Sequence, residues 1–147
     1  MLRDMTEADI PAVVDLLREM HSESPNYREL LYSPRRVAET CREAMANGYA
    51  VVYVVDGEIV GVMGGSVYQP AFSDELIAAD YVLYLKPDNR GIAAIRMVTD
   101  YILWAMARGV RVILVGVTAG IDNEYVAKFY EDMGFRKSGV QLMMEVR

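Results

Sequence analysis

The stretch Ile77-Ala78-Ala79-Asp80-Tyr81-Val82-Leu83-Tyr84-Leu85 is an apolar run that breaks at Lys86-Pro87-Asp88-Asn89-Arg90-Gly91. Its length and content predict a strand, and the proline and glycine predict a loop. Helical spacing then holds from about Ala93 to Arg108, with Ala94, Met97, Val98, Tyr101, Ile102 and Ala105 on one face and Gly109 as the stop. Arg111 to Val117 follows as a second buried strand. A strand, helix and strand in this order form a parallel crossover. The ligand site of such a unit lies beyond the carboxyl ends of its strands, where the crossover helix begins. The chemistry is therefore expected near residues 83–95.

Upstream, Tyr49 to Val55 and Glu58 to Val67 are β-branched-rich runs joined by Asp56-Gly57, a dipeptide suited to a tight antiparallel hairpin. Two helices come before them. The first starts at Thr6-Glu7-Ala8-Asp9, where Thr6 can cap the first turn and Asp9 sits at its positive end, and is predicted to run to about Met20. Ile10, Val13, Val14 and Leu17 form its apolar face. The second starts at Ser33-Pro34 and stops at Asn47-Gly48, with Val37, Cys41, Ala44 and Met45 as its buried stripe. Downstream, Asn123 to Met133 reads as a helix ended by Gly134, and Gln141 to Val146 as a last strand. With a short leading strand, the order describes an α+β fold. Its sheet is mixed and mostly antiparallel, with one parallel crossover and flanking helices.

The 147 residues, 53% of them hydrophobic, suffice for one sizeable core and predict a single domain over residues 1–147. No apolar stretch reaches the roughly 18 residues that a membrane helix needs. The N-terminus lacks the pattern of a signal peptide, so a cytoplasmic protein is expected. One cysteine, Cys41, and one histidine, His21, argue against a disulfide framework or a metal centre. A net charge of −6 argues against a general nucleic-acid-binding surface. Any polyanionic ligand must use a local site.

Such a site is legible where the strand enters the helix. Backbone N–H groups of Arg90, Gly91, Ile92, Ala93 and Ala94 have no partner within a helix that starts there, and the helix end carries partial positive charge. Gly91 permits positive φ, and Ala93 and Ala94 let an anion approach the backbone. The loop has neither the G-x-G-x-x-G of dinucleotide sites nor the G-x-x-x-x-G-K-[ST] of triphosphate sites.

Leu85-Lys86-Pro87-Asp88-Asn89-Arg90-Gly91 resembles the V-x-P-x-x-R-G entry to the acetyl-CoA loop of the GCN5-related N-acetyltransferases, the GNAT superfamily. Asn123 to Phe135 is similar to that family's later motif N-x-x-x-x-x-x-Y-E-x-x-G-F. The leading R-x-M-T-x-x-D-I at Arg3 to Ile10 and the order of elements extend the resemblance along the whole chain. Where the family's loop reads Q/R-x-x-G-x-G/A, this chain has Arg90, Ala93 and Ile95. A large residue thus stands where a small one is usual.

The resemblance implies an acetyl-CoA-dependent acyltransferase that moves an acetyl group to an amine by direct attack. Leu83 and Leu85 would offer backbone groups to the pantetheine arm, the N–H groups from Arg90 to Ala94 would hold the pyrophosphate, and Asn123 would bond the cofactor from the other side. Tyr130 would be general acid to the departing thiolate. Asp80 matches the position of a glutamate base in some members, although others have no dedicated base there. Two alternatives stay open: a CoA-binding regulatory domain with weak or no catalysis, and a nonenzymatic interaction module. The acceptor, a small-molecule or peptide amine, is not legible. Glu23, Tyr27, Tyr32, Phe72, Asp74 and Glu75 flank the site in a mixture that suits a cationic or aromatic amine but also any solvated loop. The oligomeric state is open, a homodimer included.

Overall fold

The computed structural model describes residues 1–146. In chain order the elements are β1 (Leu2–Asp4), α1 (Ile10–Glu23), α2 (Pro34–Asn47), β2 (Tyr49–Val55), β3 (Glu58–Tyr68), β4 (Ile77–Leu85), α3 (Ile92–Ala107), β5 (Val112–Leu114) and α4 (Asn123–Asp132). Single 3-10 turns at Glu7–Asp9 and Pro87–Asn89 lead into α1 and α3. The strands form one five-stranded sheet in sequence order. β1 to β4 pair antiparallel, and β4 and β5 pair parallel.

Local chemistry accounts for most of these boundaries. Asp56 and Gly57 both have positive φ, 51° and 77°, as the tight turn between β2 and β3 requires. The Ser33 hydroxyl accepts the Arg36 N–H at 3.1 Å, and Pro34 occupies the first turn of α2, where its missing N–H leaves no bond unmade. At the entry to α1 the Asp9 carboxylate accepts the Thr6 N–H at 2.8 Å and pairs with both terminal nitrogens of Arg3. This clamp joins the end of β1 to the first helix, which runs one turn past the expected Met20, to Glu23.

Successive residues of β2 and β3 feed opposite faces of the sheet, as a period of two demands. Val51 and Met63 join Met97, Val98, Tyr101 and Ala105 of α3 in one core. Val52 and Val62 join Val13 and Leu16 of α1 and Cys41 of α2 in the other. Cys41 is thus a packed thiol.

Two expectations are corrected. The strand expected over Arg111 to Val117 is paired only at Val112–Leu114, because β4 turns away from it after Ala79. The last strand, expected over Gln141 to Val146, does not form. Leu142, Met144 and Val146 are 86–90% exposed. Alternating apolar residues favour a strand only when a neighbouring edge supplies ladder bonds and a surface to pack on, and no such pairing is made here.

Candidate active site

The turning away of β4 makes the site. Its ladder to β5 consists of Ile77 with Val112, Ala78 with Ile113 and Ala79 with Leu114, and it ends there, six residues before β4 itself ends at Leu85. On its other side β4 stays paired to β3, but Gly64 stands opposite Val82 while Gly65 stands opposite Asp80. Tyr81 is therefore an extra residue. A bulge of this kind bends the strand that carries it and increases its twist. Between the diverging strands lies a cavity of about 500 Å³.

Eight of the ten site residues expected from the sequence line that cavity: Asp80, Leu83, Leu85, Arg90, Gly91, Ala94, Asn123 and Tyr130. The other two do not. Ala93 is buried against the core, and the Ile92 side chain is exposed to solvent, so only their backbone groups are candidates for a ligand. Gly91 has φ 107°, a conformation that disfavours any residue with a Cβ, and the first intrahelical bond of α3 runs from Ile95 N–H to the Gly91 carbonyl at 3.1 Å. The N–H groups before Ile95 are thus the unbonded first turn of a 16-residue helix.

Arg90 and Leu85 are bonded to each other. The Arg90 Nε donates to the Leu85 carbonyl at 2.9 Å, so that carbonyl is already engaged. The guanidinium also lies over the Tyr84 ring, 5.5 Å from its centre, and 3.7 Å from Glu23. Tyr84 in turn donates to Glu23 at 2.6 Å. Arg90 braces the loop against the end of α1 at the cavity's edge. Lys86 turns outward to Glu58 at 2.7 Å.

Asp80 sits at the point of divergence. Its Oδ1 accepts the Gly116 N–H at 2.9 Å, and burial raises its carboxyl to about 6, against the lowering effect of that bond. Tyr130, on α4, is 3% exposed and packs between Phe129 and Phe135. Burial, and then the nearby negative charge of Asp80, raise its phenol well above the ordinary range, so it keeps its proton at neutral pH. Asn123 uses its Oδ1 to accept the Gly120 N–H at 3.1 Å, which ties down the loop before α4.

Tyr27, expected to flank the site, lines the cavity, and sequence reading missed part of the wall: Met20, Tyr81, Gly116, Thr118 and Tyr125 line it as well. The α1–α2 loop reaches it because Ser24 donates to the Ala119 carbonyl and Asn26 to the Thr118 carbonyl at 2.7 Å. Gly116 had a signal: a glycine inside an otherwise apolar strand run marks a bulge or a close approach.

A family model described as the acetyltransferase (GNAT) family matches residues 11–135. The chain belongs to that family. Among solved structures, this GNAT chain is similar to an acetyltransferase of Trypanosoma brucei at 20% identity and a TM-score of 0.75, covering 99% of each chain. It is similar to an aminoglycoside acetyltransferase from an uncultured soil metagenomic sample, solved with sisomicin, at 18% identity and a TM-score of 0.74. That match covers 100% of this chain and 96% of that one. The aminoglycoside N-acetyltransferase AAC(6')-Iy, solved with CoA, aligns at 14% identity and a TM-score of 0.74, over 100% of this chain and 94% of that one. No curated protein matches by sequence. GNAT enzymes use acetyl-CoA, and this one is an acetyltransferase with acetyl-CoA as its cosubstrate. No helix among the described residues is long and apolar enough to cross a membrane.

Proposed function

We propose that this GNAT domain transfers the acetyl group of acetyl-CoA to an amine by direct attack, with Asp80 as base and Tyr130 as acid. The observation that carries the reading is the cavity between β4 and β5, which holds both groups and the open N-terminal turn of α3 around one space. The unpaired side of β4 beyond Ala79 suits an extended amide-containing arm, which can bond to it as a strand would. The first N–H groups of α3 suit a pyrophosphate. Asn123 retains its side-chain N–H₂ for the same ligand. Acetyl-CoA supplies, when bound, an activated acyl carbon and a thiolate leaving group.

The chain's own residues handle the protons. Asp80, raised to about 6, is mostly ionised at neutral pH yet more basic than an ordinary carboxylate, and it takes the proton that the attacking nitrogen gives up. Tyr130 holds its proton until negative charge gathers on sulfur, then donates it. The nitrogen–carbon bond forms as the carbon–sulfur bond breaks, and no covalent enzyme intermediate is needed. Tyr27, Tyr81, Tyr125 and Asp122 on the cavity wall suit a cationic acceptor. Similarity to proteins that bind aminoglycosides points the same way.

The test is thiol release with acetyl-CoA against pooled polyamines, aminoglycosides, amino acids and peptides, repeated with Tyr130→Phe. The expected result is turnover with a cationic amine and a loss of about 10²–10⁴-fold in kcat in the variant, with CoA affinity unchanged. Full turnover by Tyr130→Phe, with chemistry rate-limiting, would return Tyr130 to a packing role.

A further inference from the structure

We propose that Asp80 also has a positioning role: its carboxylate takes the place of a strand partner where β4 and β5 part, and so keeps the cavity open before any ligand arrives. This rests on the reading of the cavity as the acetyl-CoA site.

Two strands that begin as a parallel ladder tend to continue as one, and a side chain that bonds to one of their backbone groups competes with that ladder. At this fork side chains do so on both sides of the break. The last paired residue of β5 is Leu114, and its carbonyl accepts the hydroxyl of Tyr101 at 3.2 Å. Two residues on, the Gly116 N–H goes to Asp80 Oδ1 at 2.9 Å rather than to the β4 main chain. Tyr101 is wholly buried on α3, so its hydroxyl is fixed in place. Space for this arrangement comes from β3. A Cβ on Gly65 would lie 2.8 Å from the Ala79 carbonyl and 3.2 Å from the Tyr101 ring, at the position opposite Asp80. A bulge at Tyr81, a glycine beneath it and two side-chain caps thus meet at one point.

The role requires a hydrogen-bond acceptor of the right length and does not require charge. The base role requires the charge. Substitutions at Asp80 therefore separate the two. In Asp80→Asn the amide oxygen still accepts from Gly116, so CoA affinity by calorimetry stays within about threefold of wild type while turnover falls. In Asp80→Ala, Gly116 loses its partner, the strands are free to close, and CoA affinity falls by about tenfold or more, a change of about 1.4 kcal/mol. Tyr101→Phe releases only the Leu114 carbonyl and gives a smaller loss of the same kind. Should Asp80→Ala fail to fold, Asp80→Ser, whose hydroxyl is too short to reach, is expected to show the same loss.

Amide hydrogen exchange over residues 82–85 and 115–118, measured without ligand, reads the fork independently. Asp80→Ala changes that pattern, and Asp80→Asn does not. A folded Asp80→Ala with wild-type exchange overturns the proposal, as does an Asp80→Asn that loses CoA affinity as fully as Asp80→Ala. If the wild-type protein binds no CoA, the cofactor reading fails, and the exchange pattern still decides the fork.

Discussion

Asp9 and Asp80 are both largely covered carboxylates that accept a backbone N–H, yet the fold moves them in opposite directions. At the corner between β1 and α1, Asp9 meets the Arg3 guanidinium at 2.7 and 2.9 Å and the Thr6 N–H at 2.8 Å, and these hold its carboxyl well below the ordinary range. At the fork, Asp80 has only backbone N–H donors, Gly116 foremost, while burial dominates and raises it to about 6. The first environment stabilises the ion and spends it on structure. The second leaves a carboxylate with its proton affinity raised, at the edge of a cavity. A paired carboxylate anchors, and a desolvated one without a cation is free to exchange a proton.

The largest expected effect follows from removing the charge at the fork. Asp80→Asn should lower kcat by roughly 10²–10⁴-fold, as loss of a general base does, without lowering the melting temperature, because a partly buried carboxylate is replaced by a neutral group of the same shape. Steady-state kinetics and thermal unfolding on one preparation check both. Wild-type turnover in that variant would leave the amine to lose its proton to water.

The matching change at the corner should act on stability alone. Asp9→Ala removes the partner of Arg3 and of the Thr6 N–H and should cost roughly 1–2 kcal/mol, the scale of a lost helix cap, by urea unfolding. Turnover per folded molecule should be unchanged. A kinetic defect at this corner would mean that α1 is coupled to the cavity through Glu23 and Arg90.

The pH dependences should have opposite signs. Asp9 binds its proton less well in the fold, so its contribution is present above the ordinary carboxylate range near 4 and is lost as pH falls through and below it. Asp80 binds its proton better in the fold, so its contribution is present at low pH and is lost as pH rises from about 4 to about 6. Wild type minus Asp80→Asn should isolate that second slope in urea midpoints. Turnover should rise with pH through about 6 in wild type and lose that step in the variant.

The smallest effect belongs to Ile95, outside both places. Its side chain is 49% exposed and is not part of the cavity wall, so Ile95→Gly should cost only the helix penalty of roughly 0.5–1 kcal/mol and leave CoA affinity intact. A large affinity loss in a folded variant would show that Ile95 packs on the ligand.

Much of the site was legible because its parts sit at landmarks that short stretches of chain announce. Gly91 follows a proline-containing break, and Tyr130 lies in a motif that ends at Gly134-Phe135. What was not legible depends on partners distant in sequence. That the Leu85 carbonyl is taken by Arg90 follows from how a loop folds back on its strand. How the α1–α2 loop is pinned beside the cavity follows from Ser24 and Asn26 bonding to residues more than ninety positions away.

By itself the sequence determined what a few neighbouring residues settle among themselves: the Asp56-Gly57 turn, the Ser33-Pro34 start of α2, the alternation that sends Val51 and Val52 to different cores. These depend on backbone sterics, caps and periodicity, which act over one turn or one pleat. Only the tertiary structure decided where β4 leaves β5, that Gln141 to Val146 stays unpaired, and that Asp80 is raised while Asp9 is lowered. Those outcomes depend on which edge a strand meets and which charges and donors surround a carboxyl. That choice is made by parts of the chain far apart in sequence and brought together only in the fold.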